Sequence, residues 1–146
     1  MHNIVVEGAN GGLHTNYKGK GQAAVRALTE DGYDFVYVHI EAPDEMGHQG
    51  SAEDKIQAIE SIDREIIGPV ADALGQAGVE FRMLILPDHP TPVRVRTHTS
   101  DPVPYLLYDS VKAQKGCGEY SERTGRESGR LLEEGYRLID HLLEKE

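Results

Sequence analysis

Five side chains stand out for their types and positions. Asp44 and His48 lie four residues apart in Glu41-Ala42-Pro43-Asp44-Glu45-Met46-Gly47-His48, Asp88 adjoins His89, and His98 sits within Thr97-His98-Thr99-Ser100-Asp101. A borderline divalent cation accepts neutral imidazole nitrogen and carboxylate oxygen together and keeps a coordination position open for substrate. Asp44, His48 and His98 would supply one such set. Asp88 and His89 would supply half of a second, an arrangement expected of a two-metal site whose ions clamp the attacking and leaving oxygens in phosphoryl transfer. Each piece alone has a blander reading. Asp-x-x-x-His arises by chance, Asp88-His89 fits turn chemistry after a strand, and 97–101 fits a polar cap. The metal reading rests on their joint placement.

Other chemistry-bearing residues carry less. Lys20 follows Thr15-Asn16-Tyr17-Lys18-Gly19, where it either meets a phosphate as a point charge or is solvated in the first turn of a helix. His2, His14 and His141 have no nameable partner, and His39 is expected to be a buried, hydrogen-bonded strand residue. Cys117, the only cysteine, lies between Gly116 and Gly118 without an activating neighbour. A single cysteine excludes an intramolecular disulfide and a Cys-rich zinc module, and suits a reducing compartment. The glycines at 8–12 lack the spacing and the Lys-Ser/Thr of a phosphate-binding loop, which argues against kinase-type and dinucleotide-binding readings.

The elements that must position these residues follow from periodicity. Residues 3–7 read as a strand entering a glycine turn, and 19–30 as a helix stopped by Asp31-Gly32. Residues 35–40, Phe-Val-Tyr-Val-His-Ile, read as a buried strand. Ser51 precedes Asp54 by three residues, and Ile56, Ile59, Ile62, Ile66, Val70 and Leu74 recur at helical spacing. Pro69 should kink or restart that helix before Gly75 and Gly78 close it. A further strand is expected at 81–86, a long proline-bearing loop at 87–104, an edge strand at 103–108, loop at 112–129 and a last helix from about Gly129. Alternation of strand and helix implies right-handed crossovers and parallel pairing, hence an α/β fold. In an open parallel sheet, ligands gather beyond the carboxyl ends of the strands, where both Asp-His groups would fall.

The 146 residues fit one compact domain, and 38% apolar with 27% charged residues is globular composition. A net charge of −10 opposes binding to a nucleic-acid backbone. The amino terminus lacks a secretory signal, and no apolar run approaches a membrane span. A soluble, cytoplasmic protein without nucleic-acid or membrane partners is expected.

Residues 33–48, with Lys55, Ile59-Glu60 and Ile62-Asp63, resemble the cofactor-independent (2,3-bisphosphoglycerate-independent) phosphoglycerate mutases of archaeal type, within the alkaline phosphatase superfamily. Leu86-Pro87-Asp88-His89-Pro90-Thr91-Pro92 and Arg96-Thr97-His98-Thr99-Ser100-Asp101-Pro102-Val103-Pro104 resemble that family's remaining metal motifs, and 15–20 the segment before them. The resemblance implies a parallel-rich sheet flanked by helices, part of an alkaline-phosphatase-like core, with 1–146 as the carboxyl-terminal part of the catalytic domain. It implies that Asp44, His48 and His98 hold one metal, that Asp88 and His89 hold another, and that Lys20 contacts the phosphoryl group. Two divalent ions (Mn, Mg or Zn) are implied in the parent, with one site complete here. Family members isomerise 3-phosphoglycerate and 2-phosphoglycerate, a step of glycolysis, through a phosphoserine. No serine here fits the nucleophile's motif, so the chain is expected to be an inactive segment whose partner is the amino-terminal part of its parent. The same motifs serve related phosphatases, homoserine-kinase-like phosphotransferases and, without catalysis, a metal-binding module.

Overall fold

The computed structural model describes residues 2–112 and 114–143. Its backbone divides into two compact units, one of Met1–Val79 with Thr91–Thr99 and one of Glu80–Pro90 with Ser100–Glu146.

The first unit is helical. Helix α1 (Tyr17–Thr29) begins where the Asn16 side chain accepts the Gly19 N–H at 2.8 Å, satisfying a donor the helix leaves open. It buries Tyr17, Gly21, Ala24 and Ala27, one stripe at helical spacing. Helix α2 (Ala42–Gln49) has Pro43 in its first turn, where a missing N–H costs nothing, and Asp44 and Glu45 beside its positive end. Gly50, left-handed at φ 75°, ends α2, and Ser51 immediately caps α3 (Ala52–Ile62) by accepting the Asp54 N–H. A sharp helix hairpin results, and α2 packs on α3.

The expected interruption at Pro69 takes a specific form. Asp63–Ile67 winds as a π-helical turn, and the Gly68 N–H reaches back five residues to the Asp63 carbonyl before α4 (Gly68–Gln76) resumes with Pro69 in its first turn. In a regular helix the proline ring would strike the carbonyl four residues earlier; the wider turn relieves this. Gly21 lets α1 lie against that turn, since a Cβ there would sit 3.2 Å from the Glu65 carbonyl. Ile66, Val70 and Leu74 are buried, Leu74 at 2% exposure.

The second unit holds the only sheet among the described residues. Strand β1 (Arg82–Ile85) pairs antiparallel with β2 (Leu106–Asp109), Arg82 opposite Asp109 and Ile85 opposite Leu106. The Arg82 guanidinium donates to the Asp109 carboxylate at 2.8 Å and to the Leu142 carbonyl at 3.3 Å, which ties α6 (Leu138–Leu143) to the sheet. With two backbone N–H groups also donating to it, that guanidinium holds the Asp109 carboxyl down at about 2.

Several expectations require correction. Residues 3–7 and 35–40 join no ladder among the described residues, Glu7 lies in a turn, and Phe35 and Tyr37 are exposed rather than buried. Strand propensity describes fitness for a pleated surface; without a partner strand there is no surface to fit. His39, expected inside a strand, is exposed as well. The one strand pair is antiparallel, so no parallel pairing occurs among the described residues. A short helix α5 (Glu122–Glu127), capped by Ser121, interrupts the expected loop at 112–129, of which Ala113 lies outside the described residues. The last helix starts at Leu138, after a 3₁₀ turn at Gly135–Arg137, and not near Gly129.

Candidate metal centre

Helix α2 presents Asp44 and His48 on one face, because residues four apart stack one turn above the other. The returning segment Thr91–Thr99 brings His98 to the same place. One donor atom from each of the three residues lies within 4.8 Å of the others. His48 Nε2 is 3.3 Å from Asp44 Oδ2 and 3.2 Å from His98 Nε2, while His98 Nε2 is 3.4 Å from Asp44 Oδ1. Bonds of about 2.0–2.1 Å in a tetrahedral shell put neighbouring donors about 3.3 Å apart, the spacing of the two imidazole nitrogens from each other and of each from one oxygen of the Asp44 carboxylate. All three side chains keep solvent access, which leaves a side open. The donor set therefore fits a divalent cation.

Backbone and side-chain contacts orient two of the three donors. His48 Nδ1 lies 3.0 Å from the Arg96 carbonyl, which can only accept; Nδ1 thus carries the proton, and in the neutral ring Nε2 presents its lone pair to the site. Arg96 aims that carbonyl from a left-handed backbone at φ 59°, at a cost of about 1 kcal/mol for a side chain with a Cβ. Hydrogen bonds from Val95 and Arg96 N–H to the Pro92 carbonyl, both 2.9 Å, close the turn that holds it there. Asp44 Oδ1 accepts a short hydrogen bond from the Thr91 hydroxyl. Thr91 is 3% exposed, and its carbonyl accepts from Lys55 Nζ of α3 at 2.7 Å.

The other expected site residues have surroundings of their own. Lys20 Nζ donates to the His39 carbonyl at 2.7 Å, fastening the end of 35–40 to α1. The His39 ring stands between Tyr37, whose hydroxyl is 3.3 Å from Nδ1, and Glu41, 3.7 Å from Nε2. Asp88 and His89 lie side by side beyond the end of β1, in the second unit, with His89 Nε2 3.5 Å from Asp88 Oδ2 and the His89 N–H on Asp88 Oδ1.

Sequence reasoning did not single out Thr91, Arg96 or Lys55 as parts of the site. For Thr91 a signal existed: a hydroxyl between Pro90 and Pro92 in a rigid segment directly after Asp88-His89. For Arg96 there was none, since the contribution is a backbone carbonyl in a conformation its residue type disfavours. Helix α2 was not among the elements expected from the sequence, although Pro43, Asp44 and Glu45 followed by Gly50 are the signal that could have found it.

Comparison with known proteins agrees with the motif resemblance. The chain is 43% identical over 143 residues to a protein of Geobacter sulfurreducens named probable 2,3-bisphosphoglycerate-independent phosphoglycerate mutase, covering 97% of this chain and 35% of that protein. It is 49% identical over 145 residues to 2,3-bisphosphoglycerate-independent phosphoglycerate mutase 2 of Methanothermobacter thermautotrophicus, covering 99% of this chain and again 35% of the relative. The chain thus spans about a third of the length of these curated relatives. Among solved structures, the PH0037 protein from Pyrococcus horikoshii superposes with a TM-score of 0.82 at 30% identity, over 97% of this chain and 41% of that one. No helix of the described residues is long and apolar enough to cross a membrane. The Metalloenzyme superfamily model matches residues 1–142, and the chain belongs to that superfamily.

Proposed function

We propose that Asp44, His48 and His98 hold one divalent cation, and that Asp88 and His89 are ligands of a second, in a protein that interconverts 3-phosphoglycerate and 2-phosphoglycerate. The observation that carries this reading is the convergence of two imidazole nitrogens and a carboxylate with edges of 3.2–3.4 Å. The 43% and 49% identical relatives named as phosphoglycerate mutases support the reaction. Bound ions would neutralise phosphoryl oxygens and lower the pKa of a nucleophile.

The chain's own residues have defined parts in this. Asp44 supplies charge, His48 is held as the tautomer that ligates through Nε2, and His98 closes the set. Lys20, with one of its three ammonium protons on the His39 carbonyl, keeps two for a phosphoryl oxygen. Asp88 and His89 await the rest of their coordination shell, and the nucleophilic serine is proposed to come from a segment of the whole protein outside these 146 residues. In that whole protein the antiparallel pair and the 35–40 segment would belong to a larger, parallel-rich alkaline-phosphatase-like sheet. The domain assignment follows: residues 1–146 as the carboxyl-terminal part of the catalytic domain, working in the cytoplasm.

Calorimetric titration with Mn²⁺ tests the first site. One ion per chain is expected, weakened at least about tenfold by His48→Ala and by His98→Ala; equal affinity in all three proteins refutes the assignment. The Mn²⁺-loaded chain should not turn over 3-phosphoglycerate, and measurable isomerisation would refute the placement of the serine.

A further inference from the structure

The contacts behind the three donors point to a residue that is not itself one of the candidate ligands. Thr91 is buried to 3% exposure in a segment otherwise rich in exposed side chains, and its hydroxyl is spent on Asp44 Oδ1. Three further features hold that hydroxyl in place. Lys55 Nζ donates to the Thr91 carbonyl at 2.7 Å. Gly47, one residue before His48 on α2, lacks the Cβ that would collide with the same carbonyl and lie 3.0 Å from the Thr91 γ-methyl. Pro90 and Pro92 flank Thr91 and fix their own φ angles. So α2, α3 and the 91–99 segment meet at one threonine, which touches the carboxylate of Asp44.

We infer that Thr91 is the positioning residue of the candidate metal centre: its hydroxyl takes one lone pair of Asp44 Oδ1 and so fixes the carboxylate with Oδ1 toward His98 Nε2 at 3.4 Å and Oδ2 toward His48 Nε2 at 3.3 Å. The inference rests on the proposed metal site and adds to it the means by which the carboxylate is oriented. A carboxylate on a helix surface is free to rotate about its terminal torsion, and two equivalent oxygens would compete for the ion. A buried hydroxyl on one of them removes both freedoms before the metal arrives. Such outer contacts typically carry about 10- to 100-fold in metal affinity.

The test uses the 146-residue chain with Thr91→Val, which keeps the shape and deletes the hydroxyl, Thr91→Ala, which deletes it without overpacking, and Thr91→Ser, which restores it. Mn²⁺ affinity is read by calorimetry, and the ligand field of Co²⁺ by its visible absorption, with circular dichroism showing that each apo-protein is folded. Val and Ala should weaken Mn²⁺ binding by about 10- to 100-fold and shift the Co²⁺ bands, and Ser should return both to within about threefold of the original. Unchanged affinity and spectrum in either folded hydroxyl-deletion variant overturns the inference while leaving the metal site standing. A Ser variant as weak as Val also overturns it, because shape rather than the hydroxyl would then matter. Failure of the unaltered chain to bind Mn²⁺ overturns the metal site itself and the role of Thr91 with it.

Discussion

Two glycine-to-alanine substitutions should move stability in opposite directions, and the difference reads the packing behind the metal centre. Gly47 and Gly75 both lie inside helices, α2 and α4. Helix propensity alone makes either change stabilising by about 0.8–1 kcal/mol. At Gly75 nothing lies within 4 Å of where the methyl would go, so the gain should be realised. At Gly47 the methyl meets the Thr91 carbonyl, with the Thr91 γ-methyl and Lys55 Nζ each at 3.0 Å. The carbonyl is backbone, held by its hydrogen bond from Lys55, and cannot swing away as a side-chain tip would. Overpacking of this kind costs about 1–3 kcal/mol, which offsets the propensity gain and leaves a net loss of up to about 2 kcal/mol. With a urea slope of about 2 kcal/mol/M, the midpoint should fall by up to about 1 M for Gly47→Ala and rise by about 0.4 M for Gly75→Ala. Circular dichroism at the helix band follows both, since α1 to α4 dominate the signal. Separating α2 from Thr91 should also weaken Mn²⁺ binding for Gly47→Ala and leave it unchanged for Gly75→Ala. A Gly47→Ala protein as stable as Gly75→Ala, with full metal affinity, would refute the close approach of α2 to Thr91.

Two further outcomes follow from the packing and from charge. Leu74→Ala in α4 empties a fully buried position and should cost about 2–5 kcal/mol in urea unfolding, while a loss below about 1 kcal/mol would contradict its place in the core. Asp109 should make stability acid-sensitive in a defined window: its folded carboxyl titrates at about 2 and its unfolded one near 3.8, so the unfolded chain takes up the proton first. The contribution is complete above pH 4, declines as pH falls toward 2, and should vanish from the pH profile of Asp109→Asn; an unchanged acid limb in that variant would refute it.

Two stretches of helix were legible in the sequence: α1, with its stop at Gly32, and the run from Ser51 to Gly78 that forms α3 and α4, because caps are local chemistry that a short window of sequence contains. Helices α2 and α5 were not read there, and the last helix begins later than its pattern suggested. The sheet was less legible. Residues 35–40 have every strand-favouring side chain yet form no ladder here, since a strand is completed by another segment and its own composition cannot supply one. Residues 82–85 do form a strand because 106–109 pairs with them, and the direction of that pairing lay outside what the pattern could give.

For the candidate metal centre, the sequence by itself supplied the candidate donors, two imidazoles and a carboxylate of the right chemistry, and motifs specific enough to indicate the family to which the chain belongs. Tertiary structure alone decided that His98, fifty residues from His48, stands 3.2 Å from it. It also decided which nitrogen of His48 faces the site, through a carbonyl on a left-handed Arg96, and which oxygen of Asp44 is occupied, through Thr91. The division has a physical cause. Ligand type is a property of one side chain, whereas tautomer and carboxylate orientation are set by hydrogen bonds from distant backbone, and those exist only once the chain has closed on itself.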